Sequence, residues 1–161
     1  FLMLSATVTQ MIMNSYEAAL AVMPQLAGFI PMLTGTGGNC GSQSSTLVIR
    51  GLAVEEIEFG DLFRVVWKEV RIAVCISLVL AVVNGIRILL MGQGDVLMAL
   101  TIGLTMACTV IIAKVVGCTL PLVAKKVGLD PAIMATPLIS TLVDISTISV
   151  YFAIVSTVFQ L

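Results

Sequence analysis

A chain of 161 residues that is 59% hydrophobic and only 11% charged, with a mean hydropathy of +1.14, cannot dress a water-facing surface, since soluble domains carry about 25% charged residues. A net charge of −1 without clustered Lys and Arg argues against nucleic acid as a partner. The absence of any His removes the most frequent general base and zinc ligand, and with them Ser/His/Asp, Cys/His and most catalytic zinc chemistry.

The composition predicts an all-α integral membrane protein in contact with membrane lipid. At about 20 apolar residues per crossing, the length allows about five or six crossings. Polar punctuation divides the chain into five apolar stretches, 1–15, 18–50, 61–91, 94–124 and 131–160, each too long for a buried strand. Five transmembrane helices in one membrane domain are therefore expected. The first stretch, FLMLSATVTQMIM, has no initiator Met, basic n-region or small-residue cleavage site, so a signal peptide fits poorly and the chain reads as truncated inside its first crossing.

The second stretch contains FIPMLTGTGGNCGSQSSTL, where Pro31, Gly35, Gly37, Gly38 and Gly41 stand among hydroxyl and amide side chains. No lipid-facing helix tolerates that composition. A phosphate loop would need a Lys after its glycines, and a flexible linker would not run on into the apolar TLVIRGL. Two readings remain open: close helix packing through Gly37-x-x-x-Gly41, and a backbone that approaches a water-filled path lined by Gly35, Gly38, Asn39 and Gln43.

The break after it holds Glu55, Glu56, Glu58 and Asp61, read first as a solvated turn. Arg50, Arg64, Lys68 and Arg71 flank this connection and Lys125 and Lys126 occupy another, whereas only Arg87 lies near the intervening break. The 50–71 and 125–130 connections are thus expected in the cytoplasm, with the N-terminal side inside and the C-terminus outside. Lys114, within the fourth stretch, either snorkels to the interface or pairs inside the bundle. Cys40, Cys75, Cys108 and Cys118 lack C-x-x-C spacing and read as small packing residues.

In the last stretch, Asp130 and Pro131 predict a cap and first turn. Beyond them, Thr136, Ser140, Asp144 and Thr147 recur at helical spacing and form one polar stripe. Asp144 lies thirteen residues past Pro131, roughly 20 Å along a helix begun there. A mid-membrane aspartate costs about 2.5–3.5 kcal/mol on insertion scales, which marks it as a functional candidate. Pro137 withholds one helix hydrogen bond, and the oxygens of Thr136 and Ser140 supply further hard ligands for a metal cation. The bland alternative is an acceptor for Lys114 or for a hydroxyl on a neighbouring helix. An intramembrane aspartyl protease would need a second carboxylate, and only Asp144 reads as deep enough, so no enzyme is expected.

PMLTGTGGNCGSQSSTLVIRGLA at 31–53 and DPAIMATPLISTLVDISTISVYF at 130–152 together resemble the membrane domain of the MgtE family of Mg²⁺ transporters. The resemblance implies a homodimer with its pore on the two-fold axis, lined by the second and fifth helices of both subunits. It implies that Asp144 is the pore carboxylate, that Ser140 offers its main-chain carbonyl beside it and that Asn39 is the pore-helix asparagine. Thr136 stands just before the fifth-helix Pro, where some members carry Asn, and Lys114 departs from the neutral residue expected in the fourth helix. The family also carries cytoplasmic regulatory domains that sense Mg²⁺. On this reading two Asp144 carboxylates share one site, which a divalent ion such as Mg²⁺ neutralises while keeping much of its water. A cation-coupled secondary carrier on the same carboxylate and a non-transporting scaffold are the alternatives.

Overall fold

The computed structural model describes residues 2–92, 94–134 and 136–160, and at 2, 133, 134 and 136 the backbone alone. Among them the chain is helical throughout: α1 (Leu2–Ser15), α2 (Glu17–Val22), α3 (Ile30–Ala53), α4 (Leu62–Leu90), α5 (Val96–Lys126) and α6 (Thr136–Phe159), with 3₁₀ turns at Pro24–Phe29, Phe59–Asp61 and Pro131–Met134. Three helices are long and apolar enough to cross a membrane, within Phe59–Leu90, Val96–Lys126 and Pro137–Phe159.

The expected second helix over 18–50 is divided. α2 ends at Met23, whose φ of −131° and ψ of 78° are not helical, because Met23 precedes Pro24 and a residue before proline is pushed out of the helical region. The chain then makes one 3₁₀ turn and re-enters a helix with Pro31 in its first turn, where the missing N–H costs nothing. Tyr151 fastens this break to the bundle. Its buried hydroxyl donates to the carbonyl of Leu26 at 2.9 Å, while Tyr16 stacks on Phe152 with ring centroids 4.5 Å apart.

Local chemistry sets the other ends. The acidic connection is a turn whose Glu58 and Asp61 form a reciprocal capping box ahead of α4. Asp95 caps α5, its Oδ1 accepting from the Met98 N–H at 2.9 Å. α5 ends in a Schellman turn: Gly128 has φ +79°, its N–H donates to the Lys125 carbonyl, and the Leu129 N–H reaches Ala124. Lys125 and Lys126 occupy that last turn, where cations complement the helix dipole. Asp130 does cap, accepting from the Ala132 N–H at 2.9 Å, but what it caps is the 3₁₀ turn at Pro131–Met134. α6 begins only at Thr136.

α5 is the central helix and packs against α3, α4 and α6. Its approach to α3 is closest at Gly117, where an added Cβ would collide with the carbonyl oxygen of Gly41. Leu78, Val79, Val82, Val83 and Ile86 of α4 remain exposed, an apolar surface suited to lipid.

Candidate ion site

α3 presents two chemically different faces. Gly37 and Gly41 are buried: a Cβ on Gly37 would lie 2.8 Å from Thr109 Cγ2 of α5 and Val143 Cγ1 of α6, and one on Gly41 would lie 2.9 Å from Ile139 Cγ2. On the other face Pro31, Gly35, Asn39 and Gln43, each one helical turn from the next, are exposed. The packing reading thus describes the Gly37 and Gly41 face, and of the residues named for an open path Gly35, Asn39 and Gln43 lie on the opposite, exposed face. A stripe of glycine and amides is unsuited to hydrocarbon, where amide donors and acceptors find no partners.

Asp144 lies beside this face. It is partly exposed and opens into a cavity of about 630 Å³ bounded by α1 (Ser5, Thr9, Gln10), the start of α3 (Pro31, Thr34) and α6 (Thr141, Ile148). The Thr34 hydroxyl donates to the Ile30 carbonyl at 3.0 Å, and the Thr141 hydroxyl donates to Pro137 at 3.0 Å and Leu138 at 2.9 Å. Hydroxyls that spend their protons on their own helix offer only lone pairs elsewhere. Apolar side chains, among them Ala6, Met13 and Ile30, make up much of the rest of the wall, so the carboxylate and these few oxygens favour a cation over an anion. Among the described residues no three Cys, Asp or Glu side chains converge on a point, so one chain supplies a single carboxylate and no closed cage.

Because α6 starts at Thr136 and not at Pro131, Asp144 is eight residues in, roughly 12 Å along the axis of α6 at 1.5 Å per residue, and the 3₁₀ turn at Pro131–Met134 precedes that distance. For the same reason Pro137 falls in the first turn, where its missing N–H frees no additional carbonyl. Ser140 is half-buried, and its Oγ would stand 3.6 Å from a Cβ on Gly38. Within a continuous helix the Ser140 carbonyl is the acceptor for the Asp144 N–H, which leaves one lone pair for a ligand. Gly38 is buried in that contact, and Thr147 is buried with its Oγ1 near Gly37. These two side on the packing seam, whereas Gly35, Asn39 and Gln43 share the open face. The side chain of Thr136 lies outside the described residues.

Two features escaped the sequence reading. The α1 contribution was legible only as a faint polar spacing in SATVTQ, within a stretch read simply as an apolar crossing. The second is Glu69, a buried carboxylate in α4 that corrects the expectation of a single deep acid. Lys114 Nζ lies 3.2 Å from Glu69 Oε2, and the Ser44 hydroxyl donates to the same oxygen. Lys114 stands twelve residues before the end of α5, roughly 18 Å at 1.5 Å per residue, too deep for its four-carbon stem to snorkel. It pairs inside the bundle instead. This is the one ion pair among the described residues, so no basic side chain neutralises Asp144.

The model of the family described as a divalent cation transporter, MgtE, matches residues 30–154. The chain is 34% identical over 157 residues to the magnesium transporter MgtE of Thermus thermophilus, covering 95% of this chain and 34% of that protein. It is 36% identical over 143 residues to the Bacillus subtilis protein of the same name, covering 89% of this chain and 32% of the relative. Against that of Enterococcus faecalis it is 32% identical over 151 residues, covering 92% and 32%. It therefore spans about a third of the length of the curated relatives it matches. An all-helical chain with three helices fit to cross a membrane, matched over 30–154 by that model, belongs to the MgtE family of divalent cation transporters.

Proposed function

We propose that this chain is the membrane domain of a Mg²⁺ transporter, and that it conducts as a homodimer in which α3 and α6 of both subunits face a shared path. The observation that carries the reading is Asp144, a carboxylate without a basic partner in a cavity that also holds the Thr34 and Thr141 oxygens and that reaches Pro31, at one end of the exposed face of α3 that carries Gly35, Asn39 and Gln43. In a lone subunit surrounded by lipid, that stripe and that charge would carry a desolvation penalty. A second copy across a water-filled axis removes it. The names of the relatives supply the ion.

Five crossings follow if α1 and α3 join α4, α5 and α6. α3 has 24 residues, roughly 36 Å at 1.5 Å per residue, enough to span, and its polar face is what lowers its hydropathy. The 50–71 and 125–130 connections are assigned to the cytoplasm. Lys125 Nζ donates to the Leu52 carbonyl at 3.0 Å and Lys126 sits over the Phe59 ring at 4.0 Å, which supports putting both at one end.

At the site, two Asp144 carboxylates would repel unless a divalent ion compensates them. Mg²⁺ sheds water reluctantly, so the ion passes hydrated, its waters donating to Asp144, Thr34 and Thr141 and to the free lone pair of the Ser140 carbonyl. Weak outer-sphere contacts also let the ion leave, as conduction requires.

The test is Mg²⁺ entry into vesicles containing the full-length protein, followed with an entrapped indicator. Asp144→Ala should reduce entry to the level of empty vesicles while the protein keeps its oligomeric state and unfolding temperature. Entry at the parent rate in a dimeric, folded variant overturns the proposal.

A further inference from the structure

The cluster of Ser44, Glu69 and Lys114 ties three helices through one carboxylate oxygen. Lys114 of α5 and Ser44 of α3 both reach Glu69 Oε2 of α4, and the three residues are 2%, 0% and 5% exposed for Lys114, Ser44 and Glu69. The cluster flanks the closest backbone approach in the bundle, because Ser44 is three residues after Gly41 and Lys114 three before Gly117. At that crossing the contact is largely backbone against backbone. The ion pair and its hydroxyl supply the directional contact that glycines cannot.

Stability alone does not account for it. Buried ion pairs replaced by apolar side chains of similar volume are often neutral or gain stability. Glu69 also lines a crevice of about 260 Å³ with Arg50, Glu56 and Lys68, so its carboxylate borders a notch and does not lie in sealed core.

We propose that Ser44, Glu69 and Lys114 are positioning residues that set the register of α3 against α4 and α5, and so the placement of Asn39 and Gln43 on the open face. This rests on the reading that α3 lines the ion path. Ser44 lies one residue after Gln43 and five after Asn39 on a continuous helix, so a slide or rotation of α3 at Ser44 is transmitted rigidly to both amides.

The experiment uses the full-length protein in vesicles, with the double variant Glu69→Leu/Lys114→Met as the principal arm. Its unfolding temperature should equal or exceed the parent's, while Mg²⁺ entry falls roughly tenfold because the loss lies in placement and not in folding. Lys114→Arg, which keeps the charge, should retain entry within about threefold of the parent. As a readout independent of transport, Asn39→Cys, in a background with Cys75 and Cys108 replaced by Ala, is labelled by a soluble maleimide. The double variant should change its labelling rate at least about threefold.

A folded double variant with parent entry and parent labelling overturns the proposal. If the double variant does not fold, Ser44→Ala takes its place: a shifted labelling rate supports the proposal and an unchanged one overturns it. Failure of the underlying transport reading is separate, since it appears as a parent protein that admits no Mg²⁺, whatever the labelling.

Discussion

At the scale of single residues, the molecule separates two acids by their company. Glu69 has an ammonium and a hydroxyl on one oxygen; Asp144 has threonine oxygens and a cavity. Their substitutions should therefore fail differently. Glu69→Gln strands the Lys114 ammonium in the bundle and should lower stability by about 3–5 kcal/mol, read from thermal unfolding in detergent. Asp144→Asn removes a charge that no protein cation balances and should hold or raise the unfolding temperature in metal-free buffer. The same pair of proteins tests the metal. If Mg²⁺ binds at Asp144, then Mg²⁺ at a hundred times its dissociation constant should stabilise the parent by about 2.7 kcal/mol. EDTA should abolish that gain, and Asp144→Asn should show none. A third residue acts at a distance in sequence. Tyr151→Phe leaves the Leu26 carbonyl without its donor and should cost about 1–3 kcal/mol.

Between elements, the glycines of α3 are not equivalent, and the contacts of an added Cβ rank them. Gly35→Ala meets nothing within 4 Å and Gly38→Ala meets Ser140 Oγ at 3.6 Å, an ordinary contact, so both should fold like the parent. Gly117→Ala drives a methyl into the Gly41 carbonyl, which is backbone and cannot rotate away, so α3 and α5 must separate. Unfolding temperature and yield of the folded protein should fall for Gly117→Ala and hold for Gly38→Ala. Small-residue spacing announced that some close approach exists. It did not say which glycine meets which helix, because a stripe on one helix is silent about the partner that fills it.

For the whole molecule, the prediction concerns sidedness. Cysteines placed at Glu55 and Val127 should react with an impermeant thiol reagent from the same side, and one at Gly92 from the opposite side, in a background with Cys75 and Cys108 replaced. Labelling of all three from one side would refute the proposed topology. Helical class, apolar segments, the acidic turn and the Asp130 cap were legible from composition and period, because these depend on neighbours within a few residues; that α3 divides into a buried and an exposed face, with Gly38 on the buried one, was not. The second helix over 18–50 was misjudged since one continuous apolar run conceals the backbone break before Pro24, and that break shifts no hydropathy. Likewise Pro131 invited a helix start that the 3₁₀ turn postponed to Thr136, so Asp144 stands earlier within its helix.

What the sequence determined by itself is that an acid on a polar helix face, and a helix of glycines and amides, must both be kept out of lipid. Hydrocarbon offers no partner to a charge or an amide, so that conclusion needs no coordinates. The tertiary structure alone decided which acid is free. Glu69 and Lys114 are 45 residues apart in the chain, and either could have paired elsewhere. Only the crossing of α3, α4 and α5 brings that lysine to Glu69, leaving Asp144 to its cavity.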